Sequence, residues 1–222
     1  MRDFASEIAA ERCWDINTEA VFRARGVPVD DAILQTRAEL VGFCEFVERN
    51  NVRSYLEVGV WTGRLFLLLN RLFRFEKAAA CDLGACRTFG LPFHLDGTHY
   101  PVFVGDSHSP EYRAWLSPLE RFDLILIDGD HSYPGVRADV ATHLPHAERF
   151  IALHDICGAR HTHGVKRFWN EWDGEKTEIV CPHVEAGSQD PTMGIGIWAR
   201  QAVKGGTSRT NNPQPPGYRD SD

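Results

Sequence analysis

Two kinds of apolar pattern alternate along the chain. Short, dense runs at Tyr55–Val58, Lys77–Asp82, Tyr100–Val104, Phe122–Asp128 and Phe150–Ile156 have the length and composition of buried strands. Between them lie stripes of helical period. Leu65, Leu68, Leu69 and Leu72 mark one face of a helix, and Val165, Phe168, Trp169 and Trp172 fall at i, i+3, i+4 and i+7 of another. Pro134 opens a third helix at a position that tolerates proline. Upstream, residues 4–25 read as a polar, moderately amphipathic helix that Gly26-Val27-Pro28 breaks. Asp30 or Asp31 is placed to cap a second helix carrying Ile33, Leu34, Leu40, Val41, Phe43 and Val47, with Asn50-Asn51 ending it. Residues 84–99 are rich in Gly, Pro and His and predict no clear helix, while Glu178–Cys181 and Gly194–Ala199 suit a final strand pair.

This alternation predicts one α/β domain: a Rossmann-like, doubly wound, mainly parallel sheet with a C-terminal antiparallel strand pair and N-terminal helices. We divide the chain into an N-terminal helical cap (1–50), a catalytic domain (51–202) and a tail (203–222) whose low apolar content predicts disorder. The N-terminal helices are positioned to cover a substrate pocket or a subunit interface. In such sheets ligands bind beyond the carboxyl ends of the strands. Glu57, Asp82, Asp106, Asp128 and the pair His154-Asp155 all fall at such ends, and that recurrence is the main sign of a site.

The stretch Tyr55–Leu69 says what the site holds. A strand ending in Glu57-Val58 runs into Gly59-Val60-Trp61-Thr62-Gly63 and then into a helix, so backbone N–H groups point at a ligand. A Cβ at Gly59 or Gly63 would obstruct the turn or the approach of the ligand. A dinucleotide fingerprint needs G-x-G-x-x-G, with its middle glycine against a pyrophosphate. Here Trp61 and Thr62 stand in mid-loop, and Glu57 repels phosphate while attracting an amino-acid ammonium. Asp82, about 20 residues after the loop, is spaced to accept from ribose hydroxyls; capping the next element is its alternative role. Asp106 and Ser107 suit either an adenine amino group or the cap of the helix carrying Trp115 and Leu116.

Asp128, His131, His154 and Asp155 form the reactive set. Two carboxylates at neighbouring strand ends share a hard divalent cation well, and a nearby imidazole takes a proton from a substrate hydroxyl. The plainer alternative has Asp128 capping the helix at Pro134 and His131 bracing a loop carbonyl.

Composition narrows the partners. At 222 residues, 43% hydrophobic, 25% charged and net charge −7, the chain has room for one domain and no basic patch for a nucleic-acid backbone. No apolar run approaches the roughly 20 residues that span a bilayer. Six scattered cysteines with no C-x-x-C pair read as reduced thiols of a cytoplasmic protein.

The motif E-x-G-x-x-x-G at Glu57–Gly63 resembles the first motif of class I S-adenosylmethionine (SAM)-dependent methyltransferases. IDGDHSYPGVRADV followed by FIALHDI resembles, more narrowly, a branch that includes macrocin-type sugar O-methyltransferases and cephalosporin-hydroxylase-like proteins; the likeness covers roughly residues 52–200. It implies that Glu57, Gly59 and Gly63 contact the methionine part of SAM, that Asp82 binds the ribose and that Asp106 sits near adenine. Asp128, also assigned to the cofactor side, and Asp155 would match metal ligands and His131 the general base. Several metal-using relatives carry an acid where this chain has His154; imidazole suits magnesium less well than carboxylate and shifts preference from Mg2+ toward Mn2+ or another softer ion. The expected activity is methyl transfer to a hydroxyl of a small sugar or natural product, by a chain free to form a homo-oligomer. A nicotinamide-dependent oxidoreductase and a non-catalytic SAM-binding partner subunit are the competing readings.

Overall fold

A computed structural model describes residues 2–15, 24, 31–158, 162–180, 193–201 and 216. The elements in chain order are α1 (Phe4–Glu7), β1 (Cys13–Trp14), β2 (Ile33–Thr36), α2 (Arg37–Arg49), β3 (Ser54–Val58), α3 (Arg64–Phe73), β4 (Lys77–Asp82), β5 (Val102–Val104), α4 (Pro110–Leu116), β6 (Phe122–Ile127), α5 (Tyr133–His143), β7 (Ala147–His154), α6 (His163–Glu171), β8 (Glu175–Ile179) and β9 (Ile195–Ala199). A short 3-10 turn at Ala85–Phe89 lies in the segment that predicted no helix.

Seven strands form one sheet in the order β5-β4-β3-β6-β7-β9-β8. β3 to β7 run parallel, and β9 is antiparallel to both β7 and β8. Side chains alternate between two cores because the period of a strand is two residues. Tyr55, Leu124, Leu126 and Ala152 face α2 and α3 through Leu40, Phe43, Leu65 and Leu69. Leu56, Val58, Ile125, Ile127 and Ile151 face α4, α5 and α6 through Tyr112, Val140 and Phe168. Burial on both faces explains why the central strands read as continuous apolar runs rather than alternating ones. Trp172 and Trp198 stack with centroids 4.9 Å apart and seal the β9 end of the second core.

The N-terminal segment departs from its expected helices. Helix α1 is four residues long, capped by Asp3, and Cys13–Trp14 instead pairs parallel with β2. The Arg37 guanidinium donates to the carbonyls of Ile8 (2.5 Å) and Glu11 (2.8 Å), which end the first turn instead of continuing it. Residues 16–23 and 25–30 of that expected helix and its breaker lie outside the described residues. The second helix begins six residues later than Asp31: Ile33–Thr36 is extended, and Thr36 with Glu39 makes a capping box that starts α2 at Arg37. Thr-Arg-Ala-Glu is that motif in sequence, and it outcompetes the aspartates because both its partners satisfy orphan amide N–H groups. Asp31 pairs with Arg64 and His94 instead. The helix ends at Asn50 and Asn51 as expected, Asn51 with φ 48°. The tail from 203 onward lies outside the described residues except Pro216, as do Cys181 and the 183–192 loop.

Candidate active site

Each expected site residue except Gly63, His154 and Asp155 lines one cleft of about 790 Å3 at the carboxyl edge of the sheet. Its walls come from the ends of β3, β4, β5 and β6, and its N-terminal side from Ala32–Gln35.

Gly59 has φ 86°, and a Cβ there would lie 2.0 Å from the carbonyl oxygen of Asp128. The obstruction is therefore the neighbouring strand end rather than a ligand: the loop must pass directly over β6, where the Asp128 N–H also donates to the Val58 carbonyl (2.7 Å). Gly63, φ 89°, stands at the N-terminus of α3, where a Cβ would meet the Leu95 side chain at 2.7 Å. Trp61 adopts φ 54°, an uncommon conformation for a bulky residue. Its N–H donates to Asp82 Oδ2 (2.8 Å), and Gly84 N–H donates to Asp82 Oδ1 (2.5 Å). Asp82 thus braces the loops after β3 and β4 while still lining the cleft.

Neither Asp106 nor Ser107 caps α4; Ser109 does. Asp106 accepts the N–H of His108, and Ser107 donates its hydroxyl to the buried Asp139 (2.8 Å). Helix α5 is capped by Ser132, so Asp128 is not its cap either. Glu57 is buried, with the Tyr55 hydroxyl donating to it at 2.6 Å. Burial pushes the Glu57 carboxyl up to about 8, with Asp128 and Asp82 adding to the effect and Tyr55 opposing it.

The reactive set does come together. His131 Nε2 lies 3.1 Å from Asp128 Oδ1 and 3.2 Å from Asp155 Oδ2, so the imidazole bridges two carboxylates instead of bracing a carbonyl. Donor atoms of Asp128, His131 and Asp155 all lie within 4.8 Å of one another. His154 is buried behind them, Nδ1 3.3 Å from Asp128 Oδ2 and 3.8 Å from Asp155 Oδ2. Asp155 takes φ 63°, which turns it back toward the cluster immediately after β7. Burial disfavours charge on His131, but its hydrogen bonds to the two carboxylates win and raise it to about 10. His154 is likewise raised to about 10 against burial, by the charges of Asp155 and Asp128. Asp128 is held well below the ordinary carboxylate range: burial opposes this, and the two imidazoles overcome it.

Two residues of the cluster escaped sequence reasoning. Gln35 Nε2 donates to Asp128 Oδ2 (3.1 Å), and Glu39 Oε1 lies 4.0 Å from His154 Nε2. Reading β2 as helix hid Gln35, and the Thr36–Glu39 capping motif was the available signal for Glu39.

Two carboxylates and an imidazole on neighbouring strand ends stand beside a glycine loop and an acid-lined cleft, at the carboxyl edge of a sheet in which β9 runs antiparallel between β7 and β8. The family described as a methyltransferase domain matches residues 56–156 of this chain. The match favours the methyltransferase reading over the nicotinamide-dependent one. No curated protein matches the chain. Among solved structures it is similar to an O-methyltransferase from Bacillus cereus in complex with SAH (S-adenosylhomocysteine): 15% identity, TM-score 0.55, covering 88% of this chain and 95% of that one. It is also similar to the O-methyltransferase TomG from Streptomyces achromogenes, involved in tomaymycin synthesis and solved with SAM: 14% identity, TM-score 0.53, 87% and 94% covered. At such identities the likeness is one of fold. Among the described residues no helix is long and apolar enough to cross a membrane.

Proposed function

We propose that the protein transfers the methyl group of SAM to a hydroxyl of a small molecule, a sugar or natural product. The observation that carries this reading is the convergence of Asp128, His131 and Asp155 at the edge of the cofactor-sized cleft. SAM supplies an activated methyl on a sulfonium, so the protein has only to bind, align and deprotonate. Glu57 faces the methionine ammonium, and a cation beside it returns the Glu57 carboxyl to its ionised form. Asp82 receives the ribose and Asp106 the adenine amino group. Net charge −7 supports a small acceptor over a nucleic acid, and the five free cysteines among the described residues suit a cytoplasmic setting.

His131 is the general base in this reading. Clamped between two carboxylates it keeps its proton, so its work as a base depends on those carboxylates being engaged elsewhere. The donor set fits a hard or borderline divalent ion: Asp128 and Asp155, with His154 at their back, would hold Mg2+ or Mn2+, which would supply positive charge to the site and favour neutral imidazole. His131 Nε2 takes the proton of the acceptor hydroxyl. The test is label transfer from methyl-labelled SAM to a panel of catechols, glycosides and polyols. Wild-type protein should label a hydroxylated acceptor, and His131→Ala should lower kcat about 10²–10⁴-fold with SAM affinity retained. Transfer only to amines or thiols, or a His131→Ala variant with full kcat, would refute it.

A further inference from the structure

The segment before α2 reaches into the reacting cluster from outside the methyltransferase domain match. Gln35, 3% exposed at the end of β2, donates Nε2–H to Oδ2 of Asp128 across 93 positions of sequence. That oxygen also faces Nδ1 of His154, so two nitrogens converge on Oδ2 and leave Oδ1 turned toward His131. Glu39, 1% exposed in the first turn of α2, divides its carboxylate. Oε2 accepts from the backbone and hydroxyl of Thr36, while Oε1 lies 4.0 Å from Nε2 of His154.

We propose that Gln35 and Glu39 are positioning residues of the methyl-acceptor site: Gln35 fixes the carboxylate plane of Asp128, and Glu39 orients the imidazole of His154. This rests on the proposed role of Asp128 and His131 in methyl transfer. A carboxylate at a strand end rotates freely about its last torsion unless both oxygens are held, and a turned Asp128 withdraws Oδ1 from His131.

A stabilising role for these side chains is the plainer account, and their unsatisfied polar atoms argue against it. Gln35 Oε1, Glu39 Oε1 and His154 Nε2 are all buried without a hydrogen-bond partner among the described residues. Buried groups left in that condition destabilise a fold; at Gln35 an apolar residue of the same shape would serve it as well or better, and Glu39 needs only Oε2 for its cap, so the buried charge toward His154 adds nothing to it. Polar atoms kept unsatisfied beside a reactive cluster are the usual mark of function held against stability. The segment 32–35 also lines the cleft, so its placement bears directly on the bound ligands.

The test uses the full chain with Gln35→Met, which keeps length and volume, and Glu39→Gln, which preserves the capping box because glutamine serves at that position. Three readouts are taken: Tm, SAH affinity by calorimetry, and the ring C–H signals of His131 and His154 by NMR, assigned with His131→Asn and His154→Asn. We expect Tm unchanged or raised in both variants, SAH affinity within about 2-fold of wild type, the His131 ring displaced in Gln35→Met and the His154 ring in Glu39→Gln. A fall in Tm in both variants, or ring signals that stay at their wild-type positions, overturns the proposal. Wild-type protein that binds no SAH would fail the methyltransferase reading instead, and is separately visible in the calorimetry.

Discussion

Gly59 shows how much one missing atom decides at the residue scale. Its φ of 86° is costly for any L side chain, and its hydrogen is the only substituent that fits where a Cβ would lie 2.0 Å from the Asp128 carbonyl oxygen. Gly59→Ala should therefore displace the Asp128 strand end and weaken SAH binding at least about 10-fold. Gly90 separates strain from contact: it has φ 74°, but a Cβ there would meet nothing within 4 Å. Gly90→Ala should lose about 1 kcal/mol of stability, the backbone cost alone, with SAH affinity intact. Calorimetry and denaturant melts on the two variants give both numbers, and equal SAH affinity in the pair would contradict this account of Gly59.

His143 makes a second prediction at that scale. It is fully buried on α5, with Nδ1–H donated to the Asp139 carbonyl (2.7 Å) and Nε2 accepting from the Tyr112 hydroxyl (2.6 Å). Burial lowers it from its ordinary 6.5 to about 4. The folded state therefore binds this proton less readily than the unfolded chain. Its stabilising share is complete above about pH 6.5 and lost as pH falls toward 4. His143→Gln keeps an acceptor for Tyr112 and does not titrate, so its Tm should fall less than that of wild type between pH 6.5 and 4. Parallel Tm–pH curves for the two proteins would count against it.

Among elements, the legible ones were those whose pattern is set by burial. β3, β4, β6 and β7 were visible because a strand covered on both faces must be apolar throughout. The α6 stripe of Val165, Phe168 and Trp169 was visible because one helix face packs on the second core. The N-terminal elements were not. For the described residues between Phe4 and Thr36 the structure is fixed by contacts from far along the chain, such as Arg37 on the carbonyls of Ile8 and Glu11 and Arg64 on Glu11 and Asp31. A short window carries no trace of such partners. The same limit applied within the site: strand-end acids could be named one by one, yet the bridge of His131 to both Asp128 and Asp155 needed the positive φ of Asp155. The capping box that replaced the expected Asp30 or Asp31 cap is directly testable. Thr36→Ala should cost about 1 kcal/mol and Asp31→Ala much less for helix α2, read from denaturant midpoints at constant m.

For the molecule as a whole, ligands and metal should act as separable stabilisers of one cleft. A ligand present at 100 times its Kd adds about 2.7 kcal/mol to the folded state, so SAH at that excess should raise Tm by several degrees. Mn2+ should raise Tm in wild type and leave Asp128→Asn with Asp155→Asn unmoved, since those carboxylates supply the hard donors. A metal shift that survives both substitutions would place the ion elsewhere.

The central claim is that the strand-end cleft is a SAM site, and titration calorimetry of SAH against NAD on the wild-type chain tests it most directly. The account predicts one SAH per chain, binding weakened about 10-fold or more by Asp82→Ala, and no heat with NAD. Binding of NAD in preference to SAH, or SAH affinity unaltered by Asp82→Ala, would contradict it.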